Sequence, residues 1–268
     1  GLLLSGADAA TLGIVGAMMG GLAAATQLLG RAGFLRIIAQ AGKPAARPTA
    51  GAANPDKVAA TLVAKTSLTP SIWRLEFELD RAIRYGAGQY AKLCVAPFEW
   101  RDYSIAALDA RRLSLLVSTR TGGDGSRFAA GAALGTTTQV ELPLGRYRLA
   151  DNDHRKVFIA TGTGIAPFLP MFAQLRAACR LEQAELLFGC RGAGEDITPA
   201  CAGLPRTLVC TSRDASGAFQ GRVTQALAAL DFDPASTDFY ICGSAAMVAD
   251  CKALLERAAA PHVYTEAY

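Results

Sequence analysis

The stretch Lys156 to Leu175, KVFIATGTGIAPFLPMFAQL, constrains the fold more than any other part of this 268-residue chain. Val157-Phe158-Ile159-Ala160 is a short apolar run that reads as a buried strand. Thr161-Gly162-Thr163-Gly164 follows at once, and Pro167 stands where a helix takes its first turn. Phe168, Leu169, Met171, Phe172 and Leu175 then recur at roughly helical spacing. Strand, glycine turn and helix in this order bring backbone N–H groups and the positive end of a helix to one point, which suits a phosphate. Gly162 and Gly164 let the backbone approach a pyrophosphate where a Cβ would intrude. The run departs from the G-x-G-x-x-G fingerprint because its sixth position is Pro167.

The chain after this point keeps the same alternation. Apolar strands at Val157–Ala160, Glu185–Phe188, Thr207–Cys210 and Phe239–Cys242 each precede a turn. Helical stretches are expected at Pro167–Leu181, Arg222–Leu230 and Ala245–Ala259, and His262–Tyr268 as a last strand. Alternating strands and helices mean a doubly wound α/β domain with a parallel sheet, over 151–268.

Residues 51–150 read differently. Ile72 to Leu79 places Trp73, Leu75, Phe77 and Leu79 on one face and Arg74, Glu76 and Glu78 on the other, a half-buried strand. Further strands are expected at Gln89–Val95, Tyr103–Ala107, Leu113–Thr119 and Thr138–Leu142, with a short helix from Ser126 to Ala130. Several short strands between glycine turns suggest an antiparallel β-barrel.

Residues 1–50 resemble neither part. No charged side chain occurs from Ala9 to Gly30, a length of about 33 Å as a helix, enough to cross a bilayer core. Gly16 and Gly20 form a G-x-x-x-G pair. Arg31, Arg36, Lys43 and Arg47 follow, so a span here would leave the rest of the chain on the cytoplasmic face. A buried Ala/Gly-rich helix packed on another domain suits the composition equally. Lys43 to Pro55 is a linker by composition. The chain begins at Gly1, which suggests a processed product or a piece of something longer.

Composition limits the chemistry. A net charge of +4 gives no case for nucleic acid. The seven cysteines form no C-x-x-C and no zinc or iron–sulfur spacing, and fit reduced thiols in a cytoplasmic compartment. The two histidines, His154 and His262, leave little room for a metal site, and none is expected.

Four motifs carry the rest. Arg101-Asp102-Tyr103-Ser104 follows the turn Tyr85–Tyr90; Arg101 offers forked donors to a pyrophosphate. Thr121-Gly122-Gly123-Asp124-Gly125-Ser126 is a glycine turn that opens a short helix. Gly162 to Pro167 is the third, and Cys242-Gly243-Ser244 at a strand end is the fourth. Together and in this order they resemble the ferredoxin–NADP reductase family of flavin-dependent reductases, over about residues 58–268.

The resemblance implies an FAD-dependent NAD(P)H oxidoreductase. Arg101, Tyr103 and Ser104 would hold the flavin, with Ser104 at its N5 edge; Gly123 and Ser126, through backbone N–H groups and the Ser126 hydroxyl, would hold its pyrophosphate. Thr161, Gly162, Thr163, Gly164 and Pro167 would serve the pyridine nucleotide, and Cys242 with Gly243 the nicotinamide. Tyr268 would stack on the flavin and Glu266 would relay a proton or orient a group, so the catalytic set is Ser104, Cys242, Glu266 and Tyr268. Ser212-Arg213 matches a pair that NADP-linked members carry near the adenosine ribose; Arg222 and Arg191 add charge there, which favours NADPH, with NADH as the alternative. Asp214 is the acid that an NADH enzyme would use, unless it pairs with Arg222. Electrons would leave to a ferredoxin, a flavodoxin, an oxygenase component or a membrane redox partner. The competing reading is a regulatory subunit that binds the nucleotides without turnover; the intact Arg101–Ser104 run and Cys242 argue against it.

Overall fold

In a computed structural model, residues 55–267 are described. The run 9–30, the linker up to residue 54 and Tyr268 lie outside these residues. Among the described residues no helix is long and apolar enough to cross a membrane.

The first lobe is a closed antiparallel barrel of six strands, β1 (Asp56–Thr69), β2 (Ile72–Leu79), β3 (Tyr90–Ala96), β4 (Glu99–Asp109), β5 (Arg112–Ser118) and β6 (Thr137–Leu144). They pair in the order β1-β2-β5-β4-β3-β6, and β6 closes on β1. Alternation decides what points inward: Leu75, Phe77 and Leu79 from β2 meet Leu113 and Leu115 from β5 and Leu93 from β3 in one fully buried core. Trp73 packs only at its margin. The longest strand, β1, precedes the first strand expected from sequence; Val58, Ala60 and Leu62 give it the same period of two. One helix, α1 (Asp124–Gly131), sits between β5 and β6.

The second lobe is a six-stranded sheet of β7 (Arg155–Thr161), β8 (Ala184–Cys190), β9 (Arg206–Thr211), β10 (Phe219–Gln220), β11 (Thr237–Gly243) and β12 (Val263–Ala267). All neighbours are parallel, in the order β10-β9-β8-β7-β11-β12. Its helices are α2 (Phe168–Ala177), α3 (Val223–Ala228) and α4 (Ala245–Arg257). Each is shorter than its apolar spacing suggests. Pro167 caps α2 rather than entering it, and Cys179 takes a positive φ of 55° just beyond its end. The β8–β9 connection holds only two 3₁₀ turns, 193–195 and 198–200, and no α-helix.

Strand β7 explains why the sheet is buried on both faces. Val157 and Ile159 join one apolar core with Leu187, Phe239 and α4, and Phe158 and Ala160 join another with α2. Phe158 lies 5.0 Å from Phe168, 4.8 Å from Phe172 and 4.9 Å from Tyr240, ring centre to ring centre. A ring so enclosed is worth about 3–5 kcal/mol against alanine. This second core also takes Ile72, Ala106 and Leu116 from the barrel, so one apolar cluster joins the two lobes.

The chain order fixes where a ligand can lie. From β7 the sheet builds outward through β8, β9 and β10, then returns to add β11 and β12 on the other side. The crevice opens at that reversal, beyond the carboxyl ends of β7 and β11. Those ends are Thr161 and Cys242-Gly243.

Candidate functional site

Three residues from distant parts of the sequence converge where the barrel meets that crevice. Ser104 on β4 donates from Oγ to Glu266 Oε2 on β12 at 2.9 Å. Cys242 Sγ on β11 stands 4.0 Å from the same oxygen. Cys242 and Glu266 are register partners across β11 and β12, so the pairing of these strands sets their approach. Cys242 is buried, and burial, reinforced by Glu266, pushes its thiol well above the ordinary range. Such a thiol stays protonated and serves as a packing surface. Burial also raises Glu266, with Asp102 adding to the shift and the Ser104 hydrogen bond opposing it.

The glycine turn after β7 is built against this point. Residues Gly162–Ile165 form a 3₁₀ turn. A Cβ on Gly164 would lie 2.2 Å from the carbonyl oxygen of Cys242, so only glycine lets the third motif press on the fourth. Behind them, Tyr147 directs its hydroxyl towards the carbonyls of Ile241 at 3.4 Å and Tyr264 at 3.5 Å. No sequence motif pointed to Tyr147, which follows the last barrel strand in the turn Gly145-Arg146-Tyr147.

A cleft of about 540 Å³ runs from the glycine turn along the ends of β8 and β9. Thr161, Gly162, Thr163, Arg191, Ser212, Arg213 and Arg222 all line it. Gly164, Pro167, Cys242 and Gly243 are not among the lining residues. The N–H groups of Ser212 and Arg213 are tied to the carbonyls of Cys190 (3.2 Å) and Arg191 (2.8 Å), which fixes the loop that carries them. No carboxylate pairs with Arg213 or Arg222 among the described residues. Asp214 does not pair with Arg222. Its oxygens accept from Ala193 N at 3.2 Å, Ser216 N at 3.1 Å and Ser216 Oγ at 2.5 Å, and these Ser216 bonds lower its pKa. These bonds tie Asp214 to two loops.

Arg120 and Glu195 are among the cleft residues that carried no motif of their own. Arg120, from the barrel, reaches Glu195 of the sheet lobe at 3.2 Å, and Glu195 lies 3.9 Å from Arg191. Both line the cleft. Arg120 directly precedes the second motif, which was its only signal.

The barrel's own corner is differently made. Arg101 lies inside β4, where its guanidinium meets Glu99 at 3.0 Å and Asp124 at 2.8 Å. Asp124 opens α1, and the cap residue Gly123 offers that helix no side chain. Tyr103 runs beneath this turn; a Cβ on Gly125 would lie 2.0 Å from its hydroxyl. Burial pushes the Tyr103 pKa up to about 12 against the pull of Arg101. The Ser126 hydroxyl departs from expectation. It is buried, donates to Ser118 O at 3.1 Å and shares a contact with Thr121, so it closes the turn rather than facing a ligand. The first N–H groups of α1 have no side-chain cap and are donors for an anion.

The two lobes match two family models: the oxidoreductase FAD-binding domain over residues 59–149 and the oxidoreductase NAD-binding domain over residues 158–253. The chain belongs to the ferredoxin–NADP reductase family. It is 27% identical over 222 residues to the ferredoxin–NAD(P)(+) reductase component of the naphthalene 1,2-dioxygenase system of Pseudomonas putida, covering 78% of this chain and 68% of that protein. Ferredoxin–NADP reductase B of Sorangium cellulosum is 35% identical over 144 residues, 49% of this chain and 57% of that one. The chain thus spans about two thirds or less of the curated relatives it matches. The crystal structure of a ferredoxin NADP+ reductase from Neisseria gonorrhoeae with bound FAD and NADP shares the fold, with a TM-score of 0.67 and 23% identity, covering 80% of this chain and 99% of that one. The barrel and the parallel sheet expected from sequence are thus the family's two lobes. FAD and NAD(P)H are the nucleotides of its oxidoreductase domains.

Proposed function

We propose that the barrel, residues 51–150, holds FAD, that the sheet lobe, 151–268, holds NADPH, and that the chain passes electrons to a separate ferredoxin or oxygenase component. The observation that carries this is the meeting of Ser104, Cys242 and Glu266, one from the barrel and two from the sheet. Bound FAD supplies the hydride acceptor and the step from electron pairs to single electrons.

The residues present fit both nucleotides. Arg101 and the first N–H groups of α1 suit a pyrophosphate, once Arg101 exchanges Asp124 for it. Gly164 lets the nucleotide turn lie directly on Cys242, and the cleft arginines face the far end of the same cleft. Ser104 offers a hydroxyl at the junction, with its proton directed to Glu266. The apolar Cys242 side chain excludes water from that point. Glu266 holds or moves a proton at Oε2. Arg213, Arg222 and Arg191 favour a 2′-phosphate, and the bonds that tie Asp214 to its loops rather than to Arg222 support the same preference.

Ferredoxin or an oxygenase component is the acceptor we favour because relatives are named as reductases of such systems. The chain acts in the cytoplasm, tethered if residues 9–30 span a bilayer; pelleting without detergent tests the tether. The reductase reading is tested by purifying the full chain and adding NADPH without oxygen. A yellow protein that bleaches is expected. A colourless chain, or colour indifferent to both NADPH and NADH, ends the reading in favour of a non-catalytic subunit.

A further inference from the structure

His154 and His262 are 108 positions apart, but the fold sets their rings 4.8 Å apart, centre to centre. His154 immediately precedes β7 and His262 immediately precedes β12, the two strands that flank β11. Between them β11 places Asp238, which is fully buried. One ligand atom from each of the three lies within 4.8 Å of the others. This group sits at the amino ends of the strands. The Ser104–Glu266 junction sits at their carboxyl ends, about 13 Å away along the strand, since Asp238 and Cys242 are four residues apart.

The chemistry of the three groups is specific. Asp238 Oδ2 accepts from the buried Lys156 ammonium at 3.0 Å, and Oδ1 faces His154 Nδ1 at 2.8 Å. The Lys156 bond holds the carboxylate in place on one oxygen, with the other turned to an imidazole. Lys156 plays the part of an outer partner that orients a ligand. The His262 ring makes no hydrogen bond among the described residues, and the His154 side chain keeps 28% of its surface in solvent, which leaves an entry path.

We propose that His154, Asp238 and His262 form a site for a borderline first-row divalent cation, Zn²⁺ in the first instance. Two imidazoles and one carboxylate are the donor set that suits such an ion, with a fourth, solvent position open. Tetrahedral bonds of about 2.0–2.1 Å put neighbouring ligand atoms roughly 3.3 Å apart. Ligand atoms now up to 4.8 Å apart would draw together on binding. On binding, His154 Nδ1 exchanges its bond to Asp238 for a bond to the metal, and any proton there passes to water. The ion would clip β12 to the sheet at the end opposite Glu266. It is a structural clip and takes no part in electron transfer.

The test uses the full chain, stripped with a chelator and exposed to Zn²⁺ alone in equilibrium dialysis with metal analysis. One equivalent of zinc per chain is expected. His262→Ala should weaken uptake by at least tenfold, and His154→Ala likewise, each with normal flavin content as the check on folding. Cys179→Ser, which removes an exposed thiol that could capture zinc on its own, should leave the equivalent in place. Failure of the wild type to take up zinc, or equal uptake by both histidine variants and the wild type, overturns the site. If Cys179→Ser loses the zinc, the thiol was the ligand and the site is likewise overturned.

Discussion

At the barrel corner Arg101 is already held by Glu99 and Asp124, whereas along the cleft Arg213 and Arg222 stand with no carboxylate partner among the described residues. Both corners present guanidinium groups beside a backbone turn, but they are prepared differently. An anion arriving at Arg101 must first displace Asp124. An anion arriving at Arg213 displaces only water. The first arrangement suits a ligand that stays and is held at many other points; the second suits one that enters and leaves each turnover. Glu195 is an intermediate case: it ties Arg120 at 3.2 Å but reaches Arg191 only at 3.9 Å.

The largest expected effect lies at the barrel corner. If Arg101 holds the flavin pyrophosphate as proposed, Arg101→Ala removes two charge-assisted hydrogen bonds, each worth about 1.5–3 kcal/mol, so flavin affinity should fall by roughly a hundredfold or more. Flavin content after extensive dialysis measures it, and full retention would show that Arg101 is only an ion-pair partner. Next comes Arg213→Ala, which on the proposed function removes a single bond of that kind from the 2′-phosphate. The Michaelis constant for NADPH should rise about tenfold or more while that for NADH barely moves. Equal damage with both nucleotides would place Arg213 away from the 2′-phosphate. Asp124→Asn should act in the opposite direction. Arg101 and Asp124 are partly exposed, so freeing the guanidinium from this pair should tighten FAD by only about fivefold at most. Weaker FAD binding would mean that Asp124 positions Arg101 rather than competing for it.

The lobes differed in how much of them could be read. Strands β2 and β7 were plain because burial of one face or both writes itself into the sequence as alternation or as an apolar run. The short β10 and the 3₁₀ turns between β8 and β9 left no such trace, since two or three residues make no period. The site showed the same division. Cys242, Gly164 and Ser104 sit in short motifs and could be picked out. Tyr147, Arg120 and Glu195 matter through the approach of one lobe to the other, which only the packing of Phe158, Ile72 and Leu116 into one core creates. Ser126 was placed correctly on its turn, but whether a hydroxyl faces inward or outward depends on Ser118, a neighbour supplied by the end of β5.

A smaller effect concerns pH. The Glu266 pKa is raised in the folded chain, chiefly by burial, so the protonated form is favoured by folding. The stability tied to this group is fully present below the ordinary glutamate pKa of about 4.3 and is lost as pH rises through the elevated folded value. Glu266→Gln should remove that dependence while keeping an acceptor for Ser104. Thermal denaturation of both proteins across this window should show the variant gaining on the wild type as pH rises; parallel curves would mean that Glu266 is solvated.

The claim that the lobes meet to transfer hydride is tested most directly at Ser104. Flavin reduction by excess NADPH is followed in a single turnover without oxygen, for wild type and Ser104→Ala at matched flavin content. The variant is expected to keep its flavin and its NADPH saturation but to reduce the flavin roughly tenfold more slowly or worse, because the hydroxyl bonded to Glu266 is gone from the junction. An unchanged rate in the variant would contradict this, and would leave Ser104 and Glu266 as a strut between the barrel and the sheet.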